Sequence, residues 1–243
     1  MNDNMTTMIT QSDFQFSAVD TENLTSSEYT LVTLAVDMSG SVHDYNNELK
    51  QCIKTIIETC KKSNRAENLM IRLTSFNSRI YEEHGFKTLG IINVDDYEQI
   101  RSPSGATALF DAAIDAVEAT EQYGRTLTDQ EFETNGVLYI ITDGDDNSSR
   151  NSLNNVAERF KSLKYNESLE SLQTFLIGVN VNERYFKDYL TNFKDTVGFE
   201  EFISIEDANV DTLSKLAQFI SKSISLQSQS LGTGSQSTSL PSF

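Results

Sequence analysis

Short apolar runs alternate along the chain with segments in which apolar residues recur every three or four positions. The first pair is "TLVTLAVD" (30–37), a strand pattern, and "DYNNELKQCIKTIIETCKK" (44–62), an amphipathic-helix pattern. Two further strand patterns, at 68–76 and 78–84, are separated by a short turn around Asn77. Because so short a connection joins neighbouring strands of opposite direction, it predicts a hairpin and one antiparallel edge pair.

The alternation continues through the rest of the chain. Helices are predicted at 106–123, 154–165, 183–193 and 210–225, and strands at 136–144, 171–180 and 199–205. The apolar strands are typical of a sheet that is covered on both sides. The order predicts an α/β fold with a doubly wound, mostly parallel central sheet, one antiparallel edge strand and helices on both faces.

The two ends of the chain differ in composition from the middle. Residues 1–28 are a predicted polar N-terminal arm, in which the alternation around Phe14 and Phe16 fits either an edge strand or a docking arm. Residues 29–226 are predicted to form a single domain. Residues 227–243, rich in Ser, Gln and Gly, are a predicted flexible tail.

Acidic residues outnumber basic ones almost two to one. The 19 Lys and Arg residues against 36 Asp and Glu residues give a net charge of −17, which repels a phosphate backbone, so we expect no nucleic acid partner. The N-terminus lacks the features of a signal peptide, and no stretch is long and apolar enough to span a bilayer. We therefore expect a cytoplasmic protein with no membrane contact.

The cysteines and histidines do not suggest a disulfide or a zinc site. Cys52 and Cys60 are eight residues apart in a helical pattern, about 12 Å along the axis, whereas disulfide Cα atoms lie within about 7 Å. We expect both to be thiols in the core. With only two histidines in the chain, we expect no zinc site.

Oxygen-bearing side chains occur where three segments would meet at one edge of the sheet. Asp37, Ser39 and Ser41 follow the first strand, Thr107 opens the alanine-rich helix, and Asp143 follows a buried strand. In open α/β sheets, ligands bind outside the carboxyl ends of the strands. Carboxylates and hydroxyls without sulfur or imidazole predict a magnesium or manganese site at this edge.

The motifs "DMSGS", "SGAT" and "TDG", in this order at the predicted strand ends, resemble the metal-ion-dependent adhesion site (MIDAS) of von Willebrand factor A (VWA) domains. The resemblance covers residues 30–225. It implies that Ser39 and Ser41 bind the metal directly, that Thr107 does so in the ligand-competent state, and that Asp37 and Asp143 act largely through bound water.

The resemblance also implies a function. A metal held mostly by neutral hydroxyls remains short of negative charge, so a partner protein would donate an Asp or Glu side chain to it. The segment "GATALFDA" is most similar to the stand-alone bacterial members of the family. Such members imply an adaptor or subunit whose partner is an AAA+ ATPase or a component of a stress or defence assembly.

The sequence departs from the family pattern after the last serine. In the integrin β-subunit version of the site, two aspartates at this place help to hold a second ion, whereas this chain has Asp44 and Tyr45. A second metal is therefore in doubt.

Other functions are compatible with the same residues. Metal-assisted hydrolysis through a bound water would need a general base that the sequence does not identify, and a Ser39, His43 or His84, Asp143 triad is a further hydrolase alternative. A structural protein that assembles through its arm and tail, with a merely stabilising metal, is the third. We expect a binding module rather than an enzyme.

Two capping motifs offer simpler interpretations of single residues. Ser41 with Asp44 fits a helix cap, which would leave Ser41 without a role in metal binding. Thr128 with Glu131 fits a capping box within a surface excursion at 124–136.

Overall fold

The structure, a computed structural model, describes residues 4–163 and 168–231. Within them the strands are β1 (Met5–Ile9), β2 (Gln15–Val19), β3 (Glu28–Asp37), β4 (Leu69–Phe76), β5 (Ile80–Thr88), β6 (Glu133–Thr142), β7 (Leu172–Val179) and β8 (Glu201–Ile205). The α-helices are α1 (Asn46–Lys61), α2 (Leu109–Thr128), α3 (Leu153–Leu163), α4 (Arg184–Val197) and α5 (Val210–Ser230).

All eight strands form one sheet in the order β1-β2-β5-β4-β3-β6-β7-β8. Strands β3, β4, β6, β7 and β8 run parallel to one another, and β5 runs antiparallel to β4. The predicted doubly wound, mostly parallel sheet with its antiparallel pair is confirmed. The edge lies two strands further out than predicted, because β1 and β2 extend the sheet beyond β5.

Helices cover both faces of the sheet because successive strand residues point in opposite directions. On β3, Leu34 and Val36 join the core beneath α1 and α5, whereas Ala35 between them joins the core beneath α2, α3 and α4. All three residues are fully buried. The central strands are therefore apolar throughout, as their sequence indicated.

The N-terminal arm is part of the sheet. The alternation at Phe16 forms a strand, as one of the two open interpretations had it, but not the edge strand. Phe16 lies in β2, between β1 and β5, is buried, and packs edge-to-face on Phe86 of β5 with the ring centroids 6.4 Å apart. Glu82 of β5 accepts hydrogen bonds from the backbone N–H and the hydroxyl of Ser17, at 3.0 and 2.6 Å. The hairpin of β1 and β2 is thus fixed to β5 by packing and by polar contacts.

Two predicted boundaries are wrong. Thr128 is the last residue of α2, which continues from the predicted end at 123, so the predicted capping box at this residue is not formed. The predicted tail begins within α5, which extends to Ser230 because the Gln227 side chain is buried and donates to the carbonyl of Gly136 at 3.1 Å. The rest of the predicted tail, 232–243, lies outside the described residues.

Among residues 4–163 and 168–231, no helix has the length and apolar character needed to cross a bilayer.

Candidate metal centre

The ends of β3 and β6 lie side by side and bring the first aspartate into a buried hydrogen-bond network. Val36 pairs with Ile141 in the parallel ladder, which places Asp37 beside Thr142. The Thr142 hydroxyl donates to Asp37 Oδ2 at 2.7 Å, and the backbone N–H of Ser39 donates to Oδ1 at 2.8 Å. The Asp37 side chain is 1% exposed, and each of its two oxygens has a hydrogen-bond donor within the protein.

The two serines point toward the end of β6. After β3 the chain forms a 3-10 turn, Gly40–Tyr45, and the hydroxyls of Ser39 and Ser41 lie 3.0 Å apart. Ser41 Oγ donates to Asp143 Oδ1 at 2.9 Å, and the hydroxyl of Tyr45 donates to Oδ2 at 2.8 Å. Two serine hydroxyls and one carboxylate therefore form a continuous chain of oxygen atoms.

Thr107 is held at the same edge through its backbone. Two residues before it, Gly105 has a positive φ of 79°, and its carbonyl accepts from the N–H of Gly40 at 3.0 Å. The N–H of Thr107 donates to Asn147 Oδ1 at 2.8 Å, and its carbonyl accepts from the N–H groups of Asn147 and Ser148. These contacts fix Thr107 between the loop that follows β3 and the loop that follows β6.

The two aspartates repel each other within this edge. Burial, followed by the negative charge of Asp143, raises the pKa of Asp37 to about 7, although hydrogen bonds from its neighbours oppose the shift. Burial also raises the pKa of Asp143, against the hydrogen bonds from Tyr45 and Ser41. A divalent cation beside them would favour the ionised form of both carboxyls.

The side chains gathered here offer only hard oxygen donors, which suit a divalent cation. Ligand oxygens about 2.1 Å from Mg²⁺ in octahedral geometry lie about 2.9–3.0 Å from each other. The oxygen atoms of Ser39 and Ser41, and those of Ser41 and Asp143, are 3.0 and 2.9 Å apart, which are hydrogen-bond distances and also suit neighbouring ligands of one ion. In the described part of the chain there is no group of three or more His, Cys, Asp and Glu residues that could hold a metal ion.

Two residues of this network were not predicted from the sequence. Thr142 holds Asp37, and Tyr45 holds Asp143. The position of Thr142 follows from the pairing of β3 with β6. Tyr45 is the last residue of the 3-10 turn that contains Ser41, and its hydroxyl reaches Asp143 from there, which no sequence motif indicated.

The structure also decides between several interpretations of single residues. The Ser41 hydroxyl donates to Asp143 and makes no helix cap, so the capping interpretation is wrong. Asp44, where a second metal was in doubt, is 98% exposed and contacts His43.

His84 hydrogen-bonds to Tyr97 and to a backbone carbonyl. Both histidines therefore have partners other than Ser39, which the triad alternative would require.

Comparison with known proteins gives matches at the level of structure. No protein-family model and no curated protein matches the sequence. The minor pilin PilB of Streptococcus sanguinis is similar over 88% of this chain and 65% of its own, with 17% identity and a TM-score of 0.59. The conserved hypothetical protein BatB of Bacteroides thetaiotaomicron is similar over 79% of this chain and 98% of its own, with 15% identity and a TM-score of 0.52.

A third similar structure is proximal thread matrix protein 1 of the mussel byssus, with a zinc-occupied MIDAS motif. It covers 80% of this chain and 45% of its own, with 18% identity and a TM-score of 0.55. This chain spans less than two thirds of the length of the pilin. Identities this low establish the fold alone, and that fold is VWA-like.

Proposed function

We propose that the protein is a module that binds a partner protein through a divalent metal ion, which Ser39, Ser41, Thr107, Asp37 and Asp143 hold. The observation that carries the proposal is the convergence of the Ser39, Ser41 and Asp143 oxygens in one hydrogen-bonded cluster beside Asp37 at the ends of β3 and β6. Magnesium or manganese suits these hard oxygens better than zinc, which prefers nitrogen and sulfur.

The carboxylates of the site are oriented by the protein and keep acceptor capacity for an ion or its bound water. Each oxygen of Asp37 and of Asp143 accepts a hydrogen bond from a protein donor. Because each carboxylate oxygen has a second lone pair, these bonds fix the carboxylates and leave them able to face a metal ion or a water molecule bound to it. A metal held largely by neutral hydroxyls would complete its coordination with an Asp or Glu side chain of the partner.

Aromatic residues beside the site support an interface there. Tyr185 is 60% exposed, and its hydroxyl donates to Asp145 Oδ2 at 3.0 Å. The ring of its neighbour Phe186 lies beside Gly144: a Cβ atom added to this glycine would be 3.8 Å from a ring carbon. Exposed tyrosines often supply much of the binding energy at protein interfaces.

The partner we propose is an AAA+ ATPase or another component of a stress or defence assembly, and the protein would act as its adaptor or subunit in the cytoplasm. The motif resemblance to stand-alone bacterial VWA proteins supports this choice.

Capture of partners from the native host tests the proposal. The immobilised protein is used as wild type, as Ser41→Ala and as Ser225→Ala, each in Mg²⁺ and in EDTA, and the bound proteins are identified by mass spectrometry. Ser225 lies in the last part of α5 and serves as the matched control. We expect a partner that wild type and Ser225→Ala retain only in Mg²⁺ and that Ser41→Ala does not retain.

The same partners in EDTA and in Mg²⁺ would contradict the proposal. So would equal retention by Ser41→Ala and wild type. For a retained partner, replacing its metal-binding Asp or Glu with Asn or Gln should abolish the Mg²⁺-dependent binding.

A further inference from the structure

Among the residues that the structure describes, no strand lies on the outer side of β1. In the antiparallel pair of β1 and β2, the carbonyl of Asn4 accepts from the N–H of Asp20, and the N–H of Thr10 donates to the carbonyl of Phe14. The backbone groups of the even-numbered residues of β1 therefore point toward β2. The N–H and C=O groups of the odd-numbered residues therefore point away from the sheet. These residues are Met5, Thr7 and Ile9.

The direction of the Ser17 N–H gives an independent check of this assignment. Ser17 is the residue opposite Thr7 in the register of β1 and β2. Its N–H donates to Glu82 of β5, on the side away from β1. Thr7 and Ser17 thus form a pair without mutual hydrogen bonds, which leaves the Thr7 backbone groups on the outer side.

The chemistry of this edge differs from that of the opposite edge. Residues 4–12 carry no charged side chain, although the chain as a whole has a net charge of −17. Ile9 is 57% exposed. At the other end of the sheet, β8 begins with Glu201 and is followed by Glu206 and Asp207. Charged residues protect an edge strand from pairing with another chain, and β1 lacks them.

We propose that β1 pairs with β1 of a second copy of this chain, antiparallel and about a two-fold axis at Thr7. In this register Thr7 faces Thr7 of the second copy, and Met5 faces Ile9 of the second copy. The outward-facing groups of both strands then form about six hydrogen bonds. Every pair is uncharged, and an apolar residue faces an apolar one, so the strand is complementary to itself.

The geometry points to a second copy rather than to a strand of another protein, because the two-fold axis matches the distribution of side chains about Thr7. A contact of one short strand is small, so the dimer is weak and depends on concentration. The dimer joins two sheets into one. With the function proposed above, it carries two metal sites, which strengthens binding to a partner that has repeated acidic sites. The dimer does not depend on the metal.

Sedimentation equilibrium of the full chain in EDTA tests this pairing separately from the metal site. Thr7→Pro removes an N–H that β2 does not use, so the hairpin is retained while the outer edge is blocked. Thr7→Val keeps the N–H and is the matched control. We expect wild type and Thr7→Val to dimerise, and Thr7→Pro to raise the dimer dissociation constant about tenfold or more.

Variants with opposite charges at Thr7 test whether β1 is the surface that forms the dimer. Thr7→Lys and Thr7→Glu should each be monomeric, because like charges face each other across the axis, and an equimolar mixture should form the mixed dimer. In wild type, amide hydrogen exchange of Met5, Thr7 and Ile9 should slow as concentration rises. A wild type that stays monomeric at every concentration overturns the proposal, and so does dimerisation of Thr7→Pro equal to that of wild type.

Discussion

The carboxylate of Asp143 is held between two donors of different kinds. Ser41 belongs to the sequence motif of the candidate metal site, whereas Tyr45 lies outside that motif and donates to the other carboxylate oxygen at 2.8 Å. Because Tyr45 is buried and comes from the same turn as Ser41, it fixes the direction of the Asp143 side chain. Residues that orient metal-associated groups in this way affect metal affinity although they do not touch the ion.

Removal of the Tyr45 hydroxyl should therefore weaken metal binding. We expect Tyr45→Phe to lower the affinity for Mn²⁺ about tenfold, because Asp143 loses a hydrogen bond that orients it. Titration calorimetry measures the change. Tyr185→Phe is the matched control, since Tyr185 also donates to an aspartate of this loop, Asp145, but is exposed. Equal affinities of Tyr45→Phe and Tyr185→Phe would contradict the role assigned to Tyr45.

His84 makes folding stability depend on pH. Burial lowers the pKa of His84 to about 4, from an ordinary value near 6.5. Between these values the unfolded chain binds a proton that the folded chain does not, so the free energy of unfolding falls as pH decreases through this window. From about pH 7.5 to about pH 5, the loss due to His84 should be about 2 kcal/mol.

Urea unfolding of wild type and His84→Gln at these two pH values measures this contribution. The glutamine amide retains a partner for the Tyr97 hydroxyl but does not titrate. Wild type should lose about 2 kcal/mol more than the variant on acidification. An identical change in both proteins would show that folding does not lower the pKa of His84.

The proximity of single residues was predictable where the signal is local in sequence. Asp37, Ser39 and Ser41 stand within five positions, and their order carries the motif. Thr142 and Tyr45 were missed because their roles arise from strand pairing and from packing of a helical turn. Such contacts become visible only when the neighbouring element is placed.

At the scale of elements, a buried arginine joins three parts of the fold. Arg72 of β4 bonds to Asp115 of α2 at 2.9 and 3.1 Å and to Glu82 of β5 at 3.0 Å, with its guanidinium over the ring of Phe16 of β2. The arginine side chain is 0% exposed. Removal of one partner leaves the other charges buried, which costs more than the pair contributes.

Arg72→Ala should therefore lower the free energy of unfolding by about 3–5 kcal/mol, measured in urea. Arg125→Ala is the matched control, since the exposed pair of Arg125 with Glu121 contributes about 0.5 kcal/mol or less. Combining Arg72→Met with Asp115→Leu should recover part of the loss, because no buried charge of that pair remains. A loss no larger for Arg72→Ala than for Arg125→Ala would contradict this account.

The attachment of the N-terminal hairpin depends on one glycine. A Cβ atom added to Gly85 of β5 would overlap the backbone oxygen of Ser17 in β2, whereas a Cβ at Gly90 would meet nothing. Gly85→Ala should release β2 from β5, with faster amide exchange at Gln15–Val19, and Gly90→Ala should not. Unchanged exchange in Gly85→Ala would show that the hairpin is held by other contacts.

Element positions were predicted closely, but two helix ends were not. The last part of α5 reads as polar, yet Gln227 donates to Ser171 Oγ at 2.9 Å and its carbonyl accepts from Asn135 at 2.7 Å. Burial of polar residues with partners on distant strands leaves no apolar signal in the sequence. Composition alone therefore placed the start of the tail too early.

At the scale of the whole molecule, the candidate metal site and the exposed strand β1 are separate features of one sheet. The site lies where β3 and β6 end, near the centre of the strand order, and β1 is at its edge. The fold was predictable because periodicity and the order of helices and strands constrain an α/β sheet strongly. The docking of the polar arm was not, since it rests on contacts such as Phe16 on Phe86.

The central claim is that hydroxyls and carboxylates at the end of β3 and β6 hold one divalent ion. Electron paramagnetic resonance of free Mn²⁺ during titration with the protein tests it most directly, because the signal of the hydrated ion falls as it binds. We predict that wild type and Ser225→Ala bind a single Mn²⁺ with equal affinity and that Ser41→Ala binds it about tenfold more weakly or not at all. A wild type that leaves the free Mn²⁺ signal unchanged, or a Ser41→Ala variant that binds as tightly, would contradict the claim.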